Sequence, residues 1–209
     1  MKTETVIITS RGSGMAEALL ATEKLGADNG LAKKEKLRLR LLSEELIGLM
    51  RGIAGDVEAL YWVEQAEKKY ELHLKANVPM APEIRRQLLA ASSSGKNAAA
   101  RGFMGKLREM VAVALLPQDQ ETAVQGDMAM GVLREENGSG RSTIRNPRAQ
   151  AYAWSMKQYK SELKQNSKKD EKAAEAWDEL EKSIVANLAD EVSVSIVGSS
   201  VEITIFKTF

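Results

Sequence analysis

The stretch LRLRLLSEELIGLMRGIAG, Leu37 to Gly55, decides how the rest of the chain is read. Leu39, Leu42, Leu46, Leu49, Met50 and Ile53 recur at spacings of three and four and form one apolar stripe of a helix. A second line on the same cylinder carries Leu41, Glu44 (with Glu45 beside it), Gly48 and Gly52. Glu44 and Gly48 are four apart and therefore neighbours on that line. A glycine inside a helix costs up to about 1 kcal/mol against alanine, so two of them need a reason, such as close approach by another group. The pair is either an exposed acid beside a packing glycine or a carboxylate aimed at something lying against bare backbone.

Bulk composition narrows the function. The chain has 209 residues, enough for one sizeable domain or two small ones with a real core. Thirty basic residues against twenty-nine acidic give a formal charge of +1, so there is no excess of cations to release counterions from nucleic acid. Cysteine is absent, which removes a disulfide framework and any thiolate zinc site. One histidine, His73, argues against a histidine-rich metal centre or a Ser-His-Asp triad, and no metal site is expected. MKTETVIITS has the wrong length and flanks for a signal peptide, and no apolar run approaches the roughly 18 to 20 residues that span a membrane. The expectation is a cytoplasmic chain that binds neither membrane nor nucleic acid.

Upstream of the opening stretch, Thr5 to Thr9 is a β-branched run that reads as a strand turning at Arg11-Gly12-Ser13-Gly14. Ser13 is expected to cap a helix from about Met15 to Leu25, with Met15, Ala18, Leu19, Thr22 and Leu25 inward. Gly26 to Gly30 reads as a break. The next helix begins near Leu31, passes through a solvated Lys- and Arg-rich face, and ends at Gly52 and Gly55.

Downstream, Ala59 to Glu64 and Tyr70 to Ala76 read as two strands joined by a polar turn at Ala66 to Lys69. Strict alternation puts Glu71, His73 and Lys75 on a polar face, where His73 is expected to be exposed to solvent. Pro82 suits the first turn of a helix from Glu83 to Ala91. Ser92 to Asn97 is a polar hinge whose likeness to a phosphate loop fails at Ala90 and Asn97, although Lys96 and nearby backbone N–H groups could hold an anion. Ala98 to Leu116 reads as a helix. From Pro117 to about Pro147 periodicity is lost, as expected of an insertion, a lid or a partner-binding segment. Arg148 to Lys160 interleaves Tyr152, Trp154 and Tyr159 with basic residues, and a helix docked on the core is preferred to a base-stacking surface. Gln165 to Lys172 is a charged spacer. Ala173 to Leu188 reads as an amphipathic helix with Trp177, Leu180, Ile184 and Leu188 inward, followed by a hairpin of two alternating strands that ends at Phe209. This order implies a two-layer α/β sandwich: a mixed, mainly antiparallel sheet with helices on one face.

Two segments carry a family resemblance. LLSEELIGLMRG is similar to the first box of GHKL-type ATPases, in which a glutamate stands four residues before an asparagine. ADEVSVSIVGSSVEITIFKTF is similar to the closing helix end and strand pair of the bacterial anti-sigma serine kinases within that superfamily. The resemblance covers about residues 4 to 116 and 173 to 209 of a single Bergerat-like domain, 1 to 209, with an inserted segment at about 117 to 172. It implies Glu44 as the general base and a nucleotide pocket formed by Gly48, Ala76, Val78, Met80, Ser94, Gly95, Lys96, Arg101, Gly102 and Gly105. ATP and Mg²⁺ are the implied cofactors, a sigma-factor-like protein or an antagonist the implied partner, and a homodimer the implied assembly.

The departures from that pattern shape the expected function. Where the family's asparagine holds Mg²⁺, this chain has Gly48, which has no side-chain oxygen. Where the family has Asp-x-Gly-x-Gly-Ile-Pro, this chain has Ala76-Asn77-Val78-Pro79-Met80-Ala81-Pro82, and only the final proline agrees. Ala76 replaces the aspartate that accepts a hydrogen bond from adenine; Val78 and Met80 replace glycines that let backbone approach the nucleotide. Arg101-Gly102-Phe103-Met104-Gly105 is a partial counterpart of the glycine-rich phosphate element. Losing one buried acceptor and a metal ligand should cost several kcal/mol of nucleotide binding. The expectation is a regulatory, protein-binding module with ATP binding weakened or lost. Its alternative is an active Mg-ATP-dependent serine/threonine kinase that uses Glu44 as base.

Overall fold

The computed structural model describes residues 1–51, 57–77, 151–167, 171–197 and 200–209. In chain order the elements are β1 (Val6–Thr9), α1 (Met15–Asp28), α2 (Lys33–Gly48), β2 (Glu58–Ala66), β3 (Lys69–Asn77), β4 (Ala151–Ser155), α3 (Met156–Asn166), α4 (Glu171–Glu181), α5 (Ile184–Leu188), β5 (Glu191–Val197) and β6 (Ser200–Thr208). The strands form one six-stranded sheet in the order β1-β2-β3-β6-β5-β4, and every neighbouring pair runs antiparallel. Helices pack on one face of it, as the order of elements implies.

Period-two alternation sorts the strand residues. Tyr61 and Val63 of β2, Leu72 and Leu74 of β3, Val192 and Val194 of β5, and Ile203 and Ile205 of β6 all point into the helix layer and are buried. The stripe read from α2 meets them: Leu39, Leu42, Leu46, Leu49 and Met50 are each at most 1% exposed. α1 contributes Met15, Ala18, Thr22 and Leu25 to the same core. At one edge Met1 to Thr3 prolongs the line of β1 along β2, with the Thr3 amide donating to the Val63 carbonyl at 2.9 Å and the Val63 amide to Thr3 Oγ1 at 2.9 Å.

Six local expectations are corrected. α1 is not capped by Ser13: its N-cap is Gly14, at φ 75° in the left-handed region, and no side chain caps it. A Cβ at Gly14 would collide with the Ile7 backbone carbonyl, so the tight β1-to-α1 turn requires glycine. Nor does α1 break at Gly26. That residue is buried inside the helix, and a Cβ there would lie 3.4 Å from Leu31 and 3.5 Å from Leu39, which marks a close α1–α2 crossing. The third correction concerns α2, which ends at Gly48 rather than at Gly52 and Gly55; these last two, with Ile53, lie outside the described residues. Its exit tightens through successive i to i+3 bonds from the amides of Leu49, Met50 and Arg51.

The other three lie in the second half. Arg148 to Lys160 is not one helix: Ala151–Ser155 is the edge strand β4, and α3 starts at Met156 behind the N-cap Ser155. Helix α3 then extends to Asn166, into the stretch read as spacer. The helix read over Ala173 to Leu188 is interrupted at Lys182-Ser183, where Ser183 Oγ accepts from the Ala186 amide at 3.3 Å and starts α5. That restart shifts the helical phase, so Val185 is buried while Ile184 is 45% exposed. The segments read as helices at 83–91 and 98–116 and the loop at 117–147 lie outside the described residues.

Candidate functional site

Glu44 stands on the half-exposed flank of α2, opposite the buried stripe. Its Oε1 accepts from Arg40 Nε at 2.8 Å, one turn earlier. The same guanidinium reaches across to Glu23 of α1, so Arg40 bridges the two helices through two carboxylates. Hydrogen bonds to Glu44 and Glu23 hold the Arg40 guanidinium above its ordinary value. Both pairs are solvent-exposed and therefore weak, so Arg40 occupies Glu44 without locking it.

Gly48 is the last residue of α2. Among the described residues, a Cβ built on it meets no atom within 4 Å. Packing against a described side chain is therefore not what calls for glycine here. Ala76 lies near the end of β3 on the sheet face covered by helices, between its register partners Ala59 and Val201, and is 3% exposed. Its methyl group can accept no hydrogen bond. α2 packs against β3, but Glu44 is half-exposed on the α2 flank while Ala76 is buried within the sheet. The other residues expected to line a nucleotide pocket, Val78, Met80, Ser94, Gly95, Lys96, Arg101, Gly102 and Gly105, lie outside the described residues.

Compared with family models, curated proteins and solved structures, the chain matches none. Among the described residues no helix is long and apolar enough to cross a membrane, and no group of three or more His, Cys, Asp or Glu side chains could hold a metal ion.

His73 departs from its expected exposure. It does sit on the face of the sheet opposite the helices, yet it is only 9% exposed. The register pairs it with Trp62 on one side and Thr204 on the other. The Trp62 and His73 rings stack with centroids 4.7 Å apart and planes 3° from parallel. Lys2 Nζ lies 4.8 Å from the Trp62 ring centroid. Lys2 Nζ and Trp62 Nε1 both donate to Glu64 Oε1, at 3.0 and 2.9 Å. The hydrogen bond from Lys2 is the main reason the Glu64 carboxyl stays below its ordinary value. The signal for this cluster was present in the hairpin: a turn at Ala66 to Lys69 fixes the register that sets Trp62 beside His73.

Proposed function

We propose that the chain is a degenerate histidine kinase-like ATPase domain that works as a regulatory, protein-binding module, with ATP binding weakened or lost. The order of elements and the antiparallel sheet with helices on one face are compatible with a Bergerat-like domain. The observation that carries the proposal is the α2 flank itself. It keeps a carboxylate, Glu44, engaged by Arg40 at 2.8 Å, and one turn on it offers only Gly48.

A general base for phosphoryl transfer works only where metal and nucleotide are positioned for it. Without an oxygen at position 48 or an acceptor at position 76, a loss of about 3 to 4 kcal/mol corresponds to roughly a hundred- to a thousandfold in affinity. The anti-sigma resemblance supplies the partner class, a sigma-factor-like protein or its antagonist, and a homodimeric assembly.

Calorimetric titration with Mg-ATP tests this. The expected result is no saturable binding in the micromolar range for the wild type, and a measurable Mg²⁺-dependent gain for Gly48→Asn, whose Cβ would meet no atom within 4 Å among the described residues. Micromolar, Mg²⁺-dependent binding by the wild type, with phosphoryl transfer lost in Glu44→Ala, would instead establish an active ATP-dependent kinase.

A further inference from the structure

The face of the sheet opposite the helices holds a group of side chains that owes nothing to the Glu44 helix. The His73 imidazole is fixed on three sides. Trp62 stacks against its plane, and Nδ1 lies 3.3 Å from Glu202 Oε1 and 3.3 Å from Thr204 Oγ1. Thr204 Oγ1 can donate or accept, but the Glu202 carboxylate can only accept, and in the tautomer that serves Glu202 the proton sits on Nδ1. Nε2 is then a bare lone pair. It is buried and, among the described residues, has no hydrogen-bond partner. The charged atom facing it is Glu71 Oε2 at 3.7 Å, too far for a hydrogen bond. Two acceptors therefore face each other across a short gap with nothing positive between them.

We propose that His73 Nε2 and Glu71 form a two-residue site for a transition-metal dication of the Zn²⁺ class, with Glu202 holding the ring from behind. Metal–nitrogen and metal–oxygen bonds of about 2.0 to 2.2 Å close a 3.7 Å gap at an angle of roughly 120°, within the range of a distorted tetrahedral ion. Glu71 and His73 are two apart on β3, so the pleat points both to one face. An imidazole whose second nitrogen donates to a carboxylate is the usual outer-shell arrangement of a metal-bound histidine, with ring orientation and tautomer set in advance. The Glu71 side chain is 42% exposed, so the carboxylate side of the pair faces solvent while Nε2 itself is enclosed. A nitrogen ligand favours Zn²⁺, Co²⁺ or Ni²⁺ over Mg²⁺ and Ca²⁺. With no third protein ligand assembled among the described residues, water completes the coordination and binding is moderate.

The sequence makes the test clean, because His73 is the only histidine and there is no cysteine. Imidazole ¹⁵N resonances therefore report on this residue alone. The metal-free protein at pH 7.5 is expected to show a protonated Nδ1 and an unprotonated Nε2. Titration with Zn²⁺ should shift Nε2 saturably at one equivalent, and Co²⁺ in its place should produce a visible ligand-field band. Glu71→Gln, a half-exposed change that leaves the fold alone, should weaken binding at least tenfold. Glu202→Gln should weaken it about tenfold, and His73→Gln should abolish it. The site is overturned if millimolar Zn²⁺ leaves Nε2 unshifted or if His73→Gln binds Zn²⁺ as well as the wild type. It is equally overturned if Nε2 carries a proton that Zn²⁺ does not displace, which would make Glu71 and Glu202 partners of an imidazolium.

Discussion

The Tyr61 hydroxyl donates to Ser43 Oγ at 2.9 Å and lies 2.8 Å from Thr22 Oγ1, which ties β2 to both α2 and α1 inside a buried core. Ser43 passes its own proton to the Leu39 carbonyl at 3.0 Å, and Thr22 Oγ1 lies 2.9 Å from the Ala18 carbonyl. Three protons serve four contacts. The chain can run from Thr22 through Tyr61 and Ser43 to Leu39, or reverse and end at Ala18.

That reversibility predicts non-additive mutants. Ser43→Ala alone lets Tyr61 donate to Thr22, and Thr22→Val alone leaves Tyr61 donating to Ser43, so each should cost no more than about 1 kcal/mol beyond its packing change. The double variant strands a buried hydroxyl and should cost a further 1 to 3 kcal/mol or so. A double-mutant cycle by urea unfolding measures this. Simple additivity would show that the three hydroxyls do not act as one network.

Alkaline stability follows from the same residue. Burial pushes the Tyr61 phenol up to about 12, with the hydrogen bonds to Ser43 and Thr22 opposing only part of that rise. An unfolded tyrosine ionises near pH 10, so between about pH 10 and 12 the unfolded state binds fewer protons than the native one. The stability this group contributes is complete below pH 10 and falls as pH rises through that window, by roughly 2 to 3 kcal/mol at its end. Tyr61→Phe should flatten that part of a stability-against-pH curve.

At the opposite pH extreme, Asp190 should matter. Burial pushes its carboxyl up, but hydrogen bonds from Lys207 Nζ at 2.9 Å and the Thr208 amide at 2.6 Å outweigh burial and hold it below its ordinary value. Its contribution is present above about pH 4 and is lost as pH falls through the depressed value. The side chain is 42% exposed, so Asp190→Asn should cost only about 1 kcal/mol at pH 7 and less at pH 2, measured by thermal unfolding at both.

Gly14 offers the sharpest backbone test. Its φ of 75° and the Ile7 carbonyl beside it leave no place for a methyl group. Gly14→Ala should destabilise by about 2 kcal/mol or more. Gly30, also at positive φ (68°) but with open space around it, should lose less on the same substitution. Equal losses at the two sites would show that dihedral strain alone, and not the β1–α1 contact, sets the cost.

The parts of the fold legible in the sequence were those fixed by period. The α2 stripe and the alternation of β3 each put their apolar side inward because burial rewards the pattern whatever the neighbours are. What period could not show was phase and partnership. Nothing local announces that Ser183 restarts a helix, or that AYAWS pairs with β5 rather than coiling, because strand formation there depends on Trp154 lying opposite Val194. His73 illustrates the same limit. Its face was read correctly, but its burial comes from Trp62, Glu202 and Thr204, two of them more than 120 residues away. At the candidate nucleotide site, the absence of oxygen at positions 48 and 76 was plain from residue types, whereas the Arg40 clasp on Glu44 depends on rotamers.

The strand order has a kinetic meaning. β6 lies between β3 and β5, so β1, β2 and β3 on one side and β4 and β5 on the other share no sheet contact until it is laid down. The pairing of β3 with β6 brings together residues separated by 131 positions, as His73 and Thr204 are. Closing so long a loop is slow against local helix formation. During synthesis the β1-β2-β3 half of the sheet would therefore keep an open edge at β3 until residues 200–208 emerge.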